Sequence, residues 1–307
     1  MDMFVRLTIA GLVIGSIYGL VALGYCLIYK ASGLMSFVQG DMLTLGGFLG
    51  VTMYGVLKLP FWAALAVVIV MVFIFGYGLE KIVIRRLLNN KTMAIYIVLA
   101  TIAVSYIIQN GAMLTWGTRT KYFPSIFSTR MIRIFSFLEG FVDEGSPILN
   151  LRIQTEQIFC VGVSLVCMLL LHIFMTKTTL GTAMRASSQD ATAAEACGID
   201  VSMTTGVTWG LAAGLAALGG MLVGPVFGVY TMLGASIGRK GFSSAVAGGY
   251  GNMYGAIIGG LLLGLIETYV AAYWTSDMKD MVAYVTLMAF LFLRPTGILN
   301  ERAIQDL

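Results

Sequence analysis

Eight apolar stretches follow one another along this chain with little polar sequence between them. They fall at residues 5–29, 42–57, 61–79, 93–114, 157–175, 203–233, 254–274 and 280–293. A helix needs about 20 residues to cross the hydrocarbon core of a bilayer, and several stretches reach that length. Only 11% of the 307 residues are charged and 58% are hydrophobic, with mean hydropathy +0.89. About a quarter of a soluble protein is charged, so this chain has too little polar surface to face water on all sides. It is expected to be all-α: a polytopic membrane bundle of about eight transmembrane helices with short, broken or re-entrant segments, forming one domain over 1–307. The lipid bilayer is its first partner. The net charge of +4 is mild and gives no basis for nucleic-acid binding.

Two stretches have the wrong length. Residues 42–57 are short. Residues 203–233 are too long for one straight span and contain Gly224-Pro225. Proline removes a backbone donor and crowds the preceding turn, which predicts a kink or break there. The glycine-rich connection 234–253 reads as a short or re-entrant helix.

Basic residues orient the chain. The short loop 80–92 holds Lys81, Arg85, Arg86 and Lys91 and is cytoplasmic by the positive-inside rule. Residues 115–156 then lie outside as a cap over the bundle, with SPILNLRIQ (146–154) alternating like a short strand and RMIRIFSFLEGF (130–141) suited to the interface. Residues 176–202 and the tail after Arg294 are cytoplasmic. For that parity to hold, 234–253 must cross most of the membrane. The N-terminal side is left open. The first apolar stretch exceeds a signal-peptide core and is expected to be retained.

Glycine recurs every four residues at Gly11, Gly15 and Gly19; at Gly206, Gly210 and Gly214; at Gly220, Gly224 and Gly228; and at Gly255 and Gly259. Small residues at that spacing let helix backbones approach closely where lipid removes the hydrophobic drive to associate. Cys26, Cys160, Cys167 and Cys197 show no CxxC spacing, and no disulfide framework, metal site or cofactor is expected. There is no nucleotide-binding motif, zinc spacing or nucleophile elbow, so the chain is not read as an enzyme. His172 reads as an interfacial or hydrogen-bonded residue.

Charges within apolar segments need a reason, because each costs about 2.5–3.5 kcal/mol near the bilayer centre. Lys240 falls in the re-entrant candidate. Glu267 suits a cation, a proton or a hydrogen bond between helices. In SFVQGDMLTLGGF (36–48), Asp41 is expected to cap the helix over 42–57. Residues 33–41 then form a joint, with Gln39 and Asp41 satisfying exposed backbone. The substrate-pathway candidates are Gln39, Asp41 and Glu267. The alanine-rich stretch TKTTLGTAMRASSQDATAAEACGIDVS (176–202) reads as one or two short cytoplasmic helices ending at Gly198, ordered for docking another protein.

Four stretches together resemble the branched-chain amino-acid permease family, the membrane subunits of ATP-binding-cassette importers. They are residues 15–48, LGTAMRASSQD with ACGID (180–200), KGFSSAVAGGYGNMYGAIIGGLLLGLIE (240–267) and RPTGIL (294–299). The match runs in the family's order over nearly the whole chain and looks most like the smaller of two paired permeases. Gly248, Gly249, Gly255 and Gly259 match its structural glycines. Tyr254 departs from a position often occupied by proline, and Gln39-Gly40-Asp41 stands where many members have His-Gly-Glu.

The resemblance implies a subunit of an importer in the bacterial inner membrane that moves leucine, isoleucine and valine. Its partners would be a second homologous permease, two cytosolic ATPases that use the ATP, and a periplasmic binding protein. Arg185, Asp190, Glu195 and Gly198 are the coupling candidates. Alternatives are urea, short amides or aromatic acids within the same class. An ion-coupled secondary transporter using Glu267 or Asp41, and a scaffold without transport, come from other classes.

Overall fold

The computed structural model describes residues 2–90, 92–123, 131–133, 152–294 and 296–299. Its helices are α1 (Asp2–Ser32), α2 (Gln39–Gly50), α3 (Phe61–Leu79), α4 (Arg85–Asn89), α5 (Ala94–Trp116), α6 (Thr155–Lys177), α7 (Thr179–Gln189), α8 (Ala191–Ala196), α9 (Val201–Phe227), α10 (Leu233–Gly248), α11 (Met253–Tyr273) and α12 (Lys279–Leu293). Among the described residues, six segments are long and apolar enough to cross a membrane: Met3–Ser32, Phe61–Asn89, Ile95–Trp116, Thr155–Lys177, Val201–Phe227 and Met253–Tyr273. The remaining two apolar stretches form shorter helices. One is α2, continued by a π-helical turn over Val51–Val56, and the other is the 15-residue α12.

Glycines set which helices meet. A Cβ on Gly15 of α1 would stand 2.8 Å from Leu261 Cα and 2.9 Å from the Gly260 carbonyl of α11. A Cβ on Gly210 of α9 would meet the Phe73 ring of α3 at 2.8 Å. These seams are backbone against backbone or ring, the close approach that small residues permit.

The pairings also fix direction. Gly11 faces Leu265 and Gly19 faces Ile257, so α1 and α11 are antiparallel. Gly206 meets Tyr77 and Gly214 meets Ile69, so α3 and α9 are antiparallel too. Helix α10 folds back on α11 through a turn at Gly249, whose φ of +113° suits glycine. Helix α10 therefore runs away from the side where α9 ends. Its 16 residues rise about 24 Å, most of a bilayer core. The parity demanded by the basic loops is met. The start of α1 lies on the opposite side from Arg85, beside the end of α11, where Thr8 and Tyr269 share a hydrogen bond of 2.7 Å.

Three expectations are corrected. The stretch 80–92 is helical through Asn89: Glu80–Ile84 forms a π turn and α4 follows. Its arginines are interleaved with Ile82, Val83, Ile84, Leu87 and Leu88, so the apolar register of α3 continues through the basic cluster. Glu80 is buried and accepts from Arg85 at 2.9 Å, and Arg85 also bonds Ser202 at the start of α9. Helix α9 passes through Pro225 and ends two residues later at Phe227, where Gly228 turns the chain with φ +74°. Near a helix end few carbonyls remain to lose a partner, so the proline marks the terminus instead of breaking the span. The third correction concerns Asp41 and is given with the site below.

Beyond α5, Lys121 and Val229 exchange backbone hydrogen bonds of 2.9 and 2.7 Å, and buried Phe123 packs on Gly224. Strands β1 (Met131–Arg133) and β2 (Arg152–Gln154) pair antiparallel. Strand β2 is the end of the alternating stretch 146–154. Residues 146–151, and 130 with 134–141, lie outside the described residues.

Candidate functional site

Helix α2 does not start at the membrane surface. Gln39, its first residue, donates from Nε2 to the Ala212 carbonyl at 2.7 Å, near the middle of the 27-residue α9. The chain therefore leaves α1 at Ser32, returns through 33–38 to mid-depth and restarts a helix there. Irregular backbone at that depth needs protein or water around it. Here Leu34, Ser36 and Val38 are buried, and the Phe37 amide donates to Thr101 Oγ1 of α5 at 3.2 Å.

The joint read from the sequence is present, with a different division of labour. Gln39 satisfies backbone, but on another helix. Asp41 caps nothing: the N-cap position of α2 is Val38, without a side-chain cap bond. Sitting inside the first turn, the Asp41 carboxylate turns to α5, where it accepts from Ser105 and from Gln109 Nε2 at 3.0 Å. Ser105 and Gln109 are one helical turn apart, the spacing that places two side chains on one face.

Helix α10 starts against α2. Gly234 and Gly238 pack on Gly40, and the Gly234 amide donates to Thr44 Oγ1 at 2.7 Å. Thr44 thus supplies the cap that the local residue Met232 does not. Between α2, α5, α10 and α12 lies a cavity of about 540 Å³. Its polar wall carries Asp41, Ser105, Gln109, Ser243 and Arg239. Its apolar wall includes Tyr25, Phe37, Phe242, Tyr284 and Leu287. Phe242 stacks edge-on to Tyr25 at 5.7 Å and tilts against Phe37 at 5.8 Å, which fixes the aromatic side.

Glu267 is elsewhere. Its Oε1 is 2.7 Å from Lys240 Nζ, its Oε2 accepts from Tyr18 at 2.8 Å, and Lys240 also pairs with Asp280 at 2.9 Å. This cluster ties α1, α10, α11 and α12 and does not line the cavity. Of the three pathway candidates, only Asp41 faces it. Gln39 is turned into α9.

On the side of the basic cluster, the stretch 176–202 forms two helices, as read. Thr178 caps α7, accepting from Gly181 at 3.0 Å. Asp190 ends α7 and caps α8, accepting from Ala193 at 2.9 Å. Gly198 follows α8 with φ +84°, a left-handed C-terminal turn. Arg185, Asp190, Glu195 and Gly198 are exposed, while Gly181, Met184 and Ser187 face the bundle. Ser187 and Thr204 of α9 share a hydrogen bond of 3.1 Å. The elbow is anchored on one face and open on the other.

The glycines Gly248, Gly249, Gly255 and Gly259 lie together where α10 meets α11, with Gly255 and Gly259 against Gly248. RPTGIL closes this corner: the Ile298 and Leu299 amides donate to the Ala247 and Gly248 carbonyls at 3.0 and 3.1 Å. Two stretches far apart in sequence thus complete one helix end. His172 bonds the Tyr254 hydroxyl at 2.9 Å, and the Tyr254 amide donates to the Asn252 cap at 3.0 Å, a bond that proline lacks.

Ser105, Gln109, Arg239, Tyr18 and Asp280 were not singled out in the sequence. Arg239 carried a signal, being a second charge beside Lys240 in an apolar segment. Ser105 and Gln109 carried only their four-residue spacing.

The chain is 30% identical to the high-affinity branched-chain amino acid transport system permease protein LivH of Escherichia coli, over 98% of this chain and 97% of that one. BraD of Pseudomonas aeruginosa matches to the same extent. A probable LivH of Methanocaldococcus jannaschii is 24% identical over 91% of this chain and 87% of its own. With the family model for the permease component of branched-chain amino acid transport systems matching residues 7–291, this chain belongs to that family.

Proposed function

We propose that this chain is the membrane subunit of an ATP-binding-cassette importer in a bacterial inner membrane. It passes branched-chain amino acids through the cavity where α2 and α10 begin. A second homologous permease completes the pathway, a periplasmic binding protein delivers substrate to the side holding the start of α1, and two cytosolic ATPases dock on α7 and α8. The chain itself needs no cofactor.

The observation that carries this reading is the elbow at Asp190. Two short helices, each capped, present an open polar face while their other face is fixed to α6 and α9. A docked ATPase that moves this elbow moves α9, and α9 holds Gln39 at the start of α2. The cavity suits the cargo: its aromatic wall fits an aliphatic side chain and its polar wall fits the charged end. An ion-coupled carrier finds less support, because Glu267 is already engaged by Lys240 and Tyr18.

The test is uptake of labelled leucine, urea and an aromatic acid into proteoliposomes that contain the chain with its partner subunits, with and without internal ATP. ATP-dependent leucine uptake is the expected result. ATP-dependent uptake of another compound keeps the class and replaces the substrate. Uptake by the chain alone, driven by an ion gradient, refutes the importer reading.

A further inference from the structure

Arg239 stands in α10 between Gly238, which packs on Gly40 at the start of α2, and Lys240, which pairs with Glu267. It is therefore at mid-depth. It is exposed and lines the cavity, and among the described residues its side chain has no hydrogen bond and no ion pair. Charged side chains at that depth face water or a partner, because lipid is a costly surrounding for them. The two neighbouring charges follow that rule: Asp41 holds two donors, and Lys240 holds two carboxylates. Among the described residues, Arg239 alone presents an unused charge to the cavity.

A guanidinium offers five donors in a rigid fork whose geometry matches a carboxylate. Across the cavity, Asp41 has accepted one donor on each oxygen and keeps lone pairs for another. Phe37, Phe242, Tyr284 and Leu287 are among the apolar residues of the wall. We infer that Arg239 anchors the carboxylate of the transported molecule, so that the cavity takes a small zwitterion or monocarboxylate with an apolar tail and rejects neutral amides and urea. This rests on the reading of the chain as an importer's permease and adds the group that selects its cargo.

The test uses the full importer in proteoliposomes, with one binding protein throughout, so that differences arise in the permease. R239Q is expected to lower leucine uptake about 10- to 100-fold, the effect of losing a charge-assisted bond, with subunit copurification retained. R239K keeps part of the uptake. In a C197S background, R239C is restored by a thiol reagent that adds an ammonium group and not by one that adds a sulfonate. Wild-type uptake in R239Q overturns the inference, and so does equal restoration by both reagents. If R239Q fails to copurify, the charge-selective restoration of R239C decides.

Failure of the proposed function is separable. A wild-type importer that moves a different carboxylate loses the substrate reading and keeps Arg239 as the anchor. One that moves urea or a neutral amide overturns the inference while the importer class stands.

Discussion

Lys240 of α10 and Glu267 of α11 meet across 2.7 Å inside the bundle, and each has one further partner of unequal strength. Lys240 also reaches Asp280, whose side chain is 62% exposed. Among the described residues, Glu267 retains only the Tyr18 hydroxyl. Removing either charge of a buried pair strands the other at a cost of about 3–5 kcal/mol, but here the two losses differ. Lys240→Met leaves a buried carboxylate with one hydroxyl. Glu267→Gln leaves a lysine that still has Asp280. Thermal unfolding in detergent is expected to rank Lys240→Met well below Glu267→Gln, with the double variant Lys240→Met/Glu267→Met recovering part of the loss. Equal midpoints for the two single variants refute this account.

Asp41 is expected to matter for transport more than for folding, because the start of α2 is held by Gln39 and by the packing of Gly40. Asp41→Asn turns an amide toward Gln109 and Ser105, both already donors, and reduces the site's attraction for a cation. Uptake should fall about 10-fold or more at normal expression. Unchanged uptake removes the charge from the pathway.

The glycines separate into two groups by what surrounds them. A Cβ at Gly15 has backbone of α11 within 3 Å, whereas one at Gly162 of α6 has no neighbour within 4 Å. Gly15→Ala should destabilise by about 1–3 kcal/mol through overpacking. Gly162→Ala should be neutral or stabilising by up to about 1 kcal/mol, through helix propensity. Thermal midpoints of the two variants against the parent check the contrast, and a tolerated Gly15→Ala contradicts the seam.

Orientation has a direct readout. Cys197 is exposed after α8, on the side of the basic cluster, while Met3 is exposed at the start of α1 on the opposite side. A membrane-impermeant maleimide added to intact spheroplasts should label Met3→Cys in a Cys197→Ser background. It should leave Cys197 of the parent unlabelled until the membrane is opened. The reverse pattern inverts the topology.

Asp190 combines two roles that substitutions can divide. Asp190→Asn keeps an acceptor for the Ala193 amide, whereas Asp190→Ala loses the cap at a cost of about 1 kcal/mol. If the residue acts only through the shape of the elbow, ATP-driven uptake survives in the asparagine variant and drops in the alanine variant. Equal loss in both assigns the negative charge itself to ATPase contact.

Much of this architecture was written in periodicity. The apolar stretches gave the spans, and the basic residues gave the parity that α10 satisfies. Four-residue glycine spacing marked the seams, and Gly198 stands at a helix end as its chemistry suggests. What escaped depends on which helices become neighbours. Asp41 looked like a cap because capping is a local habit, yet its partners lie 64 and 68 positions away on α5. The helical run through Arg85 and Arg86 was hidden by charge, since snorkelling side chains let a helix continue where composition suggests a loop. Likewise, what leaves Arg239 open and Lys240 paired is the set of helices around each, and no window of sequence contains those helices.

The restart of α2 at mid-depth has a consequence for synthesis. Gln39 is made early, and the carbonyl that receives its amide belongs to Ala212, 173 positions later. At about 5–20 residues per second the ribosome takes roughly 10–30 s to supply it. During that interval the nascent chain has an interrupted first hairpin and a Gln39 side-chain amide without its carbonyl, at a depth where lipid offers no hydrogen bonds. Until α9 enters, residues 33–38 need shelter from the insertion machinery or must stay short of their final depth. Completion of the amino-terminal third therefore waits on the carboxy-terminal half, where the Ala212 carbonyl is supplied.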